Sequence, residues 1–240
     1  MRIKNIIEGN FVERPNRFLV HFKTDTHIDK IEMAHLRDPG RLKELLIPGV
    51  KLLLRRAAEN PKRKTKFDVI AVYNENRWIL INSGFHSDLA AELIESDLIT
   101  ELKDFSIKKR EFTYGNSRID FLLEYNDMEM LLEVKGCTLV DGGLAKFPDA
   151  PTLRGRKHLD ELSNSLRYGF KSAVLFLIIR DDADEFTPNS PMDPDFANAL
   201  KTADKSGVII IAYSFRNVYN DKYLDINPFR RININLDVFN

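Results

Sequence analysis

Two carboxylates and one ammonium group carry the strongest chemical signal in this sequence. In Arg118-Ile119-Asp120-Phe121-Leu122-Leu123 an acid interrupts an apolar run, where it costs stability if buried without a partner. Thirteen residues on, Leu132-Glu133-Val134-Lys135 places Glu133 and Lys135 two apart, hence on one face of a strand, with Val134 turned to the other. If a hairpin joins the two strands, Asp120, Glu133 and Lys135 converge at one end of a sheet. Mg²⁺ prefers oxygen ligands in an octahedron and keeps several waters, so Asp120, Glu133 and the Val134 carbonyl suit it, with Mn²⁺ as the alternative ion. Lys135 would then position or deprotonate an attacking water while the metal stabilises charge on a phosphate. Glu92, ahead of these strands, is a fourth candidate. The competing reading is a salt bridge, because Glu and Lys are abundant and pair on strand surfaces. Both strands are otherwise apolar, which weighs against surface decoration.

The pattern of apolar residues around these positions describes an α/β unit. Ser87 is the expected N-cap of a helix with Leu89, Ala90, Ala91, Leu93 and Leu98 on its apolar stripe, and this helix carries Glu92. Strands are expected at 109–114, 117–125 and 128–135, the last two joined by the tight turn Tyr125-Asn126-Asp127. A basic helix over 152–167 turns Leu159, Leu162 and Leu166 inward. The run 173–179 is too apolar to have a wet face, and a helix over 195–205 and a strand over 207–213 follow. Helix, three strands, helix, strand, helix and strand give a mixed sheet covered on both sides.

Before Asn82 the period is different. Short strands at 10–14, 17–23, 28–36, 50–55, 67–73 and 78–82 favour a small barrel. Between the third and fourth, residues 38–49 have Pro-Gly ends and apolar Leu42, Leu45 and Leu46, the pattern of a short helix that plugs a barrel. An OB-like barrel of this kind often holds single-stranded nucleic acid. The expected division is therefore an OB-like barrel over 1–82 and a mixed-sheet α/β domain over 83–240.

A chain of 240 residues with 43% hydrophobic and 30% charged residues has enough apolar material for two packed cores. Its longest apolar runs fall short of the roughly 18 residues of a membrane span, and Met1-Arg2-Ile3-Lys4-Asn5 leads into Glu8 rather than an apolar signal core, so a cytoplasmic protein without membrane contact is expected. Cys137 is the only cysteine, which excludes internal disulfides and thiolate-rich zinc sites, and without an evident base beside it it reads as small filler.

Lysine plus arginine and aspartate plus glutamate both total 36, but the charges are unevenly placed. Residues 51–66 hold seven basic side chains, among them Lys62, Arg63, Lys64 and Lys66, against Glu59 alone, and 181–204 hold seven acids against Lys201. Such separation can orient a polyanion, or can mark solvated loops. Arg154, Arg156, Lys157 and His158 cluster near the start of the basic helix, where guanidinium groups and a helix N-terminus suit phosphate; the alternative is a loop and cap with only structural work. His35, Arg37 and Arg41 either line the barrel or cap the plug.

The pairing of an Asp with Glu-x-Lys on neighbouring strands resembles the restriction-endonuclease-like superfamily of PD-(D/E)xK type, with Ile119 where that pattern usually has proline. Longer segments are more specific. The stretches 34–42, 117–123, 133–139, 147–159 and 193–196 resemble the sugar fermentation stimulation protein A family. That resemblance implies an N-terminal OB-like domain joined to a nuclease-like domain, DNA as the partner, and a link to sugar-utilisation genes. It also implies that Asp120, Glu133 and Lys135 occupy metal-site positions, with Glu92 as the helix acid. Two functions remain open at this stage: a Mg²⁺-dependent DNA phosphodiesterase, and a DNA-binding regulator that keeps the metal pocket but turns nothing over. A small-molecule enzyme is disfavoured because the sequence lacks a glycine-rich phosphate loop or a nucleophile elbow.

Overall fold

The computed structural model describes residues 1–237, without the side chains of residues 27 and 28, and the chain divides into two units. The first comprises Met1–Phe85 with Ile179–Asp181 and Phe215–Asn227. Its strands are β1 (Arg2–Lys4), β2 (Ile6–Asn16), β3 (Leu19–Thr24), β4 (His27–His35), β5 (Lys51–Arg56), β6 (Phe67–Asn74) and β7 (Arg77–Leu80). Six of them run in the order β4-β3-β2-β5-β6-β7, and β4 also pairs in parallel with β6 through Ala34↔Phe67 and His35↔Asp68. That extra pairing curls the sheet back on itself, covers the end of the β4 edge and makes the OB-type barrel. The interior is filled by Val20, Phe22, Leu52, Leu54, Val69 and Val72. Gly9 has no Cβ because one would stand 2.7 Å from the Phe22 ring. The unexpected β1 pairs antiparallel with the strand Tyr223–Arg231, Arg2 facing Asp225.

The plug between β4 and β5 is not a helix. Leu45 and Leu46 N–H both donate to the Leu42 carbonyl, at 3.2 and 2.9 Å, which makes a single turn. The reason lies in Arg14, whose guanidinium donates to the carbonyls of Asp38, Gly40 and Arg41 at 3.1, 3.0 and 2.6 Å. Those carbonyls would otherwise start a helical ladder, and Leu42 is held left-handed at φ 49°. Leu42, Leu45 and Leu46 are nevertheless buried in the barrel core.

The second unit comprises His86–Ile178, Asp182–Ser214 and the residues from Pro228 onward. Its elements are α1 (His86–Glu95), β8 (Ser106–Tyr114), β9 (Ser117–Tyr125), β10 (Met128–Cys137), β11 (Val140–Asp141), β12 (Leu144–Phe147), α2 (Leu153–Ser165), β13 (Lys171–Ile178), β14 (Glu185–Pro188), α3 (Pro194–Ser206), the first half of β15 (Ile209–Asn220), the end of β16 (Tyr223–Arg231) and β17 (Asn233–Ile234). Within it the main sheet runs β15-β13-β10-β9-β8, with β9 antiparallel to both neighbours and β10, β13 and β15 parallel. The sheet is therefore mixed. After Lys171 every residue of β13 is buried, as a strand covered on both faces must be.

Leu159 and Leu162 of α2 and Phe196 and Leu200 of α3 pack with Leu131, Val174 and Phe176. Leu131 shares its face of β10 with Glu133 and Lys135, so α2 and α3 cover that face. On the opposite face the ring of His86, the first residue of α1, stands where a Cβ on Gly136 would be, 2.0 Å from its Cε1. The glycine permits that approach. Helix α1 begins one residue before the expected Ser87 cap, because the 3-10 turn Ser83–Phe85 leads into it. A smaller sheet of order β11-β12-β14-β17 was not expected from the sequence.

Candidate metal centre

Asp120 and Glu133 are brought together by the β9–β10 hairpin. Leu131↔Leu122 and Leu132↔Phe121 are paired, and one step further Asp120 stands across from Glu133, where the strands separate. Asp120 Oδ2 instead accepts the backbone N–H of Val134 at 2.7 Å. Ile119 and Leu122, three apart, both enter the α2-side core, so the alternation of β9 slips beside Asp120. Glu111, opposite on β8, has φ 54°, a local irregularity at the same level. The acid therefore sits where the sheet is distorted, which exposes it to the site rather than to the core.

Glu133 is only 3% exposed. Its Oε1 accepts from Lys135 Nζ and from His158 Nδ1 of α2, the latter at 2.5 Å. Its Oε2 is buried without a hydrogen-bond partner. His158 is itself 3% exposed, and its Nε2 accepts from Arg154 Nε at 3.3 Å. The two acids respond in opposite directions. Burial, with the charge of Glu133 beside it, pushes the Asp120 carboxyl up to about 6. Burial also acts to raise Glu133, but the hydrogen bond from His158 and the charge of Lys135 more than offset it and leave that carboxyl below its ordinary value. Two like charges in one largely dry place cannot both ionise cheaply, so Asp120 bears the penalty.

The other sequence candidates fall in different places. Glu92 is exposed on α1, which covers the face opposite Glu133, and among the described residues no three His, Cys, Asp or Glu side chains form a metal-holding group. Of the basic cluster, Arg156 pairs with Asp195 at 2.5 Å, Lys157 donates to the Asn116 carbonyl at 3.0 Å, and Arg154 is exposed. His158 faces Glu133 rather than solvent. In the barrel unit Arg37 and Arg41 are exposed, and Arg37 and Arg41 carbonyls serve Ser83 and Arg14. Residues 57–66 form the β5–β6 loop, closed by Ala57 N–H to the Lys66 carbonyl at 2.9 Å. There Arg63 is clamped onto Asp68 at 2.5 and 3.3 Å and onto the Phe67 carbonyl, whereas Lys62, Lys64 and Lys66 are exposed. Cys137 is buried.

The segment 147–158 is also explained by packing. Thr152 caps α2 by accepting Gly155 N–H at 3.0 Å, and its own N–H donates to Asp193 Oδ2 at 2.7 Å. Asp193 Oδ1 caps α3 by accepting Phe196 N–H at 2.9 Å. Gly155 lets the helices meet, since a Cβ there would stand 3.2 Å from the Phe196 ring. The partnership of His158 with Glu133 was missed, although residues 155, 158, 159 and 162 form one helical stripe that marks His158 as inward-facing. His86 gave no signal either. Its Nε2 is buried without a partner, and burial lowers its imidazole to about 4.

No helix among the described residues is long and apolar enough to cross a membrane. Residues 12–81 match the family model described as the SfsA N-terminal OB domain, and residues 84–220 match the sugar fermentation stimulation protein RE domain. A sugar fermentation stimulation protein homolog of Methanothermobacter thermautotrophicus is 52% identical over 232 residues, covering 97% of this chain and 95% of that protein. The homolog of Methanosphaera stadtmanae is 51% identical, covering 88% of this chain and 87% of its own. Among solved structures, SfsA of Pyrococcus furiosus in complex with Ca²⁺ superimposes with a TM-score of 0.88 at 28% identity, covering 98% of each chain. With both of its units matched and relatives at this identity over nearly their whole length, the chain belongs to the sugar fermentation stimulation protein family.

Proposed function

We propose that this chain is a divalent-metal-dependent phosphodiesterase acting on DNA. The observation that carries the reading is Glu133 Oε2, a carboxylate oxygen buried without a partner beside a second carboxyl that burial pushes up to about 6. An unsatisfied buried acceptor next to a like charge is costly, and a cation held by both acids relieves both penalties. The donor set fits Mg²⁺ or Mn²⁺: the Asp120 and Glu133 carboxylates and the Val134 carbonyl would offer such an ion hard oxygen donors. Ca²⁺ in the Pyrococcus furiosus relative, another oxygen-preferring dication, supports the same ligand class.

When bound, the ion supplies an acidified water and stabilises negative charge on the phosphate. Asp120, Glu133 and Val134 hold it. Lys135, on the same strand face as Glu133, orients the water or stabilises charge developing in the transition state. The exposed Lys62, Lys64 and Lys66, with Arg37 and Arg41 on the barrel, bind phosphates of the strand. Glu92 stays outside this ligand set.

A single observation favours the second reading, a DNA-binding regulator of sugar-utilisation genes. Lys135 Nζ donates to Glu133, so it serves as a counterion within the protein. Incubating the purified protein with labelled single- and double-stranded DNA in Mg²⁺, Mn²⁺ or EDTA separates the two. Cleavage with Mg²⁺ or Mn²⁺ that EDTA abolishes is expected, and intact DNA under every condition would leave the regulator.

A further inference from the structure

We propose that His158 is a positioning residue that fixes the Glu133 carboxylate for metal binding, and that Arg154 in turn fixes which imidazole nitrogen carries the proton. The inference rests on the metal reading above. An arginine side chain only donates, so the Arg154 Nε contact at 3.3 Å makes His158 Nε2 an acceptor. The ring proton then resides on Nδ1, 2.5 Å from Glu133 Oε1, and is donated to it. Lys135 Nζ donates to the same oxygen. With both donors on Oε1, the plane of the carboxylate is fixed, and Oε2 is left as the oxygen with no partner in the protein. A histidine whose second nitrogen is held by an outer partner is a familiar means of orienting ligands around a metal, and here it acts one step further out, on the carboxylate ligand rather than on the ion.

The placement on α2 makes this possible. Arg154 and His158 are one helical turn apart at i and i+4, so the exposed guanidinium reaches back over the buried ring. The stripe 155, 158, 159 and 162 turns the ring toward the sheet, and the Asp193 and Thr152 caps hold the start of the helix in place. A purely structural role, in which His158 merely compensates the burial of Glu133, predicts a different pattern of mutant effects.

The test is Mn²⁺ titration calorimetry with melting curves on the full chain, comparing wild type with His158→Leu, His158→Asn and Arg154→Leu. Asparagine places an amide N–H close to the imidazole Nδ1–H, whereas leucine fills the space without a donor. Mn²⁺ affinity is expected to fall roughly 10- to 100-fold in His158→Leu and to return to within about threefold of wild type in His158→Asn. In Arg154→Leu, ¹⁵N imidazole spectra are expected to show the proton leaving Nδ1, with a several-fold loss of affinity. Because Arg154 is exposed, that variant keeps the inference testable if His158→Leu does not fold. Wild-type Mn²⁺ binding that persists unchanged in folded His158→Leu overturns the inference alone, as does an unchanged tautomer and affinity in Arg154→Leu. A wild-type protein that binds no Mn²⁺ overturns the metal reading and this inference with it.

Discussion

The Asp120 carboxylate accepts the backbone N–H of Val134 at 2.7 Å, so the residue that separates Glu133 from Lys135 is itself tied to the neighbouring strand by the other acid of the site. One oxygen of Asp120 thus sets the spacing of the two carboxylates through the main chain. Under the metal reading proposed above, that coupling makes the two acids act together in holding an ion.

Asp120→Ala and Glu133→Ala should therefore each abolish Mn²⁺ or Mg²⁺ binding in calorimetry while the fold survives. Glu133→Ala is the more disruptive of the two to stability, because it leaves the buried His158 and Lys135 without their acceptor. Unchanged metal affinity in both variants would remove the site.

The pH dependence of Asp120 has a definite sign. Its folded pKa is raised from 3.8 to about 6, so the folded protein holds this proton more tightly than the unfolded chain. The stabilisation it brings is complete below about pH 3.8 and is lost as pH rises through about 6. Asp120→Asn, which mimics the protonated acid, should melt above wild type at pH 8 in EDTA and alongside it at pH 4. Metal affinity runs the other way and should fall as pH is lowered through about 6, because proton and metal compete for the same oxygens. Superimposable melting curves for the two proteins at pH 8 would refute the assignment of the raised group.

Lys135→Ala should lose on the order of 10² or more in cleavage rate while DNA affinity falls less than about tenfold, since one lysine contributes little to the polyelectrolyte term. The Glu133 carboxylate also loses one of its two donors, so melting should decline as well. Cleavage that survives the substitution would exclude the catalytic role and leave Lys135 as a counterion.

In the β5–β6 loop the four basic residues divide into two groups. Replacing Lys62, Lys64 and Lys66 by Ser should weaken DNA affinity and flatten its dependence on log salt by roughly one unit per lost phosphate contact, with little change in melting. Arg63→Ser should do the reverse, because it releases Asp68 from a two-oxygen clamp. A salt slope identical to wild type in the triple variant would make the segment a solvated loop.

What the sequence made readable follows a physical division. Asp120, Glu133 and Lys135 stand out because charged residues in otherwise apolar strands have few bland explanations, and a hairpin is a local feature that brings them together. The closure of the barrel through Ala34↔Phe67 and the small sheet containing Leu144–Phe147 and Glu185–Pro188 were not readable, since two- and four-residue pairings over long separations leave no periodicity. The plug was misread as a helix because its competitor, Arg14, lies more than twenty residues upstream. For His158 the burial was visible in the helical stripe, but the identity of its partner depended on which strand α2 covers, a matter of tertiary packing.

Asp193 has a consequence for how this unit opens. One of its oxygens holds the first amide of the α2 cap and the other holds the first turn of α3, so a movement of this one side chain loosens the starts of both helices together. Thr152 and Phe196, 44 positions apart in the chain, should then exchange their amide hydrogens at a common rate set by one shared opening. Because His158 rides on the second turn of α2, the fluctuation that releases it is that same cooperative event, and the lifetime of the ordered Glu133 carboxylate is set more than a helical turn away from it.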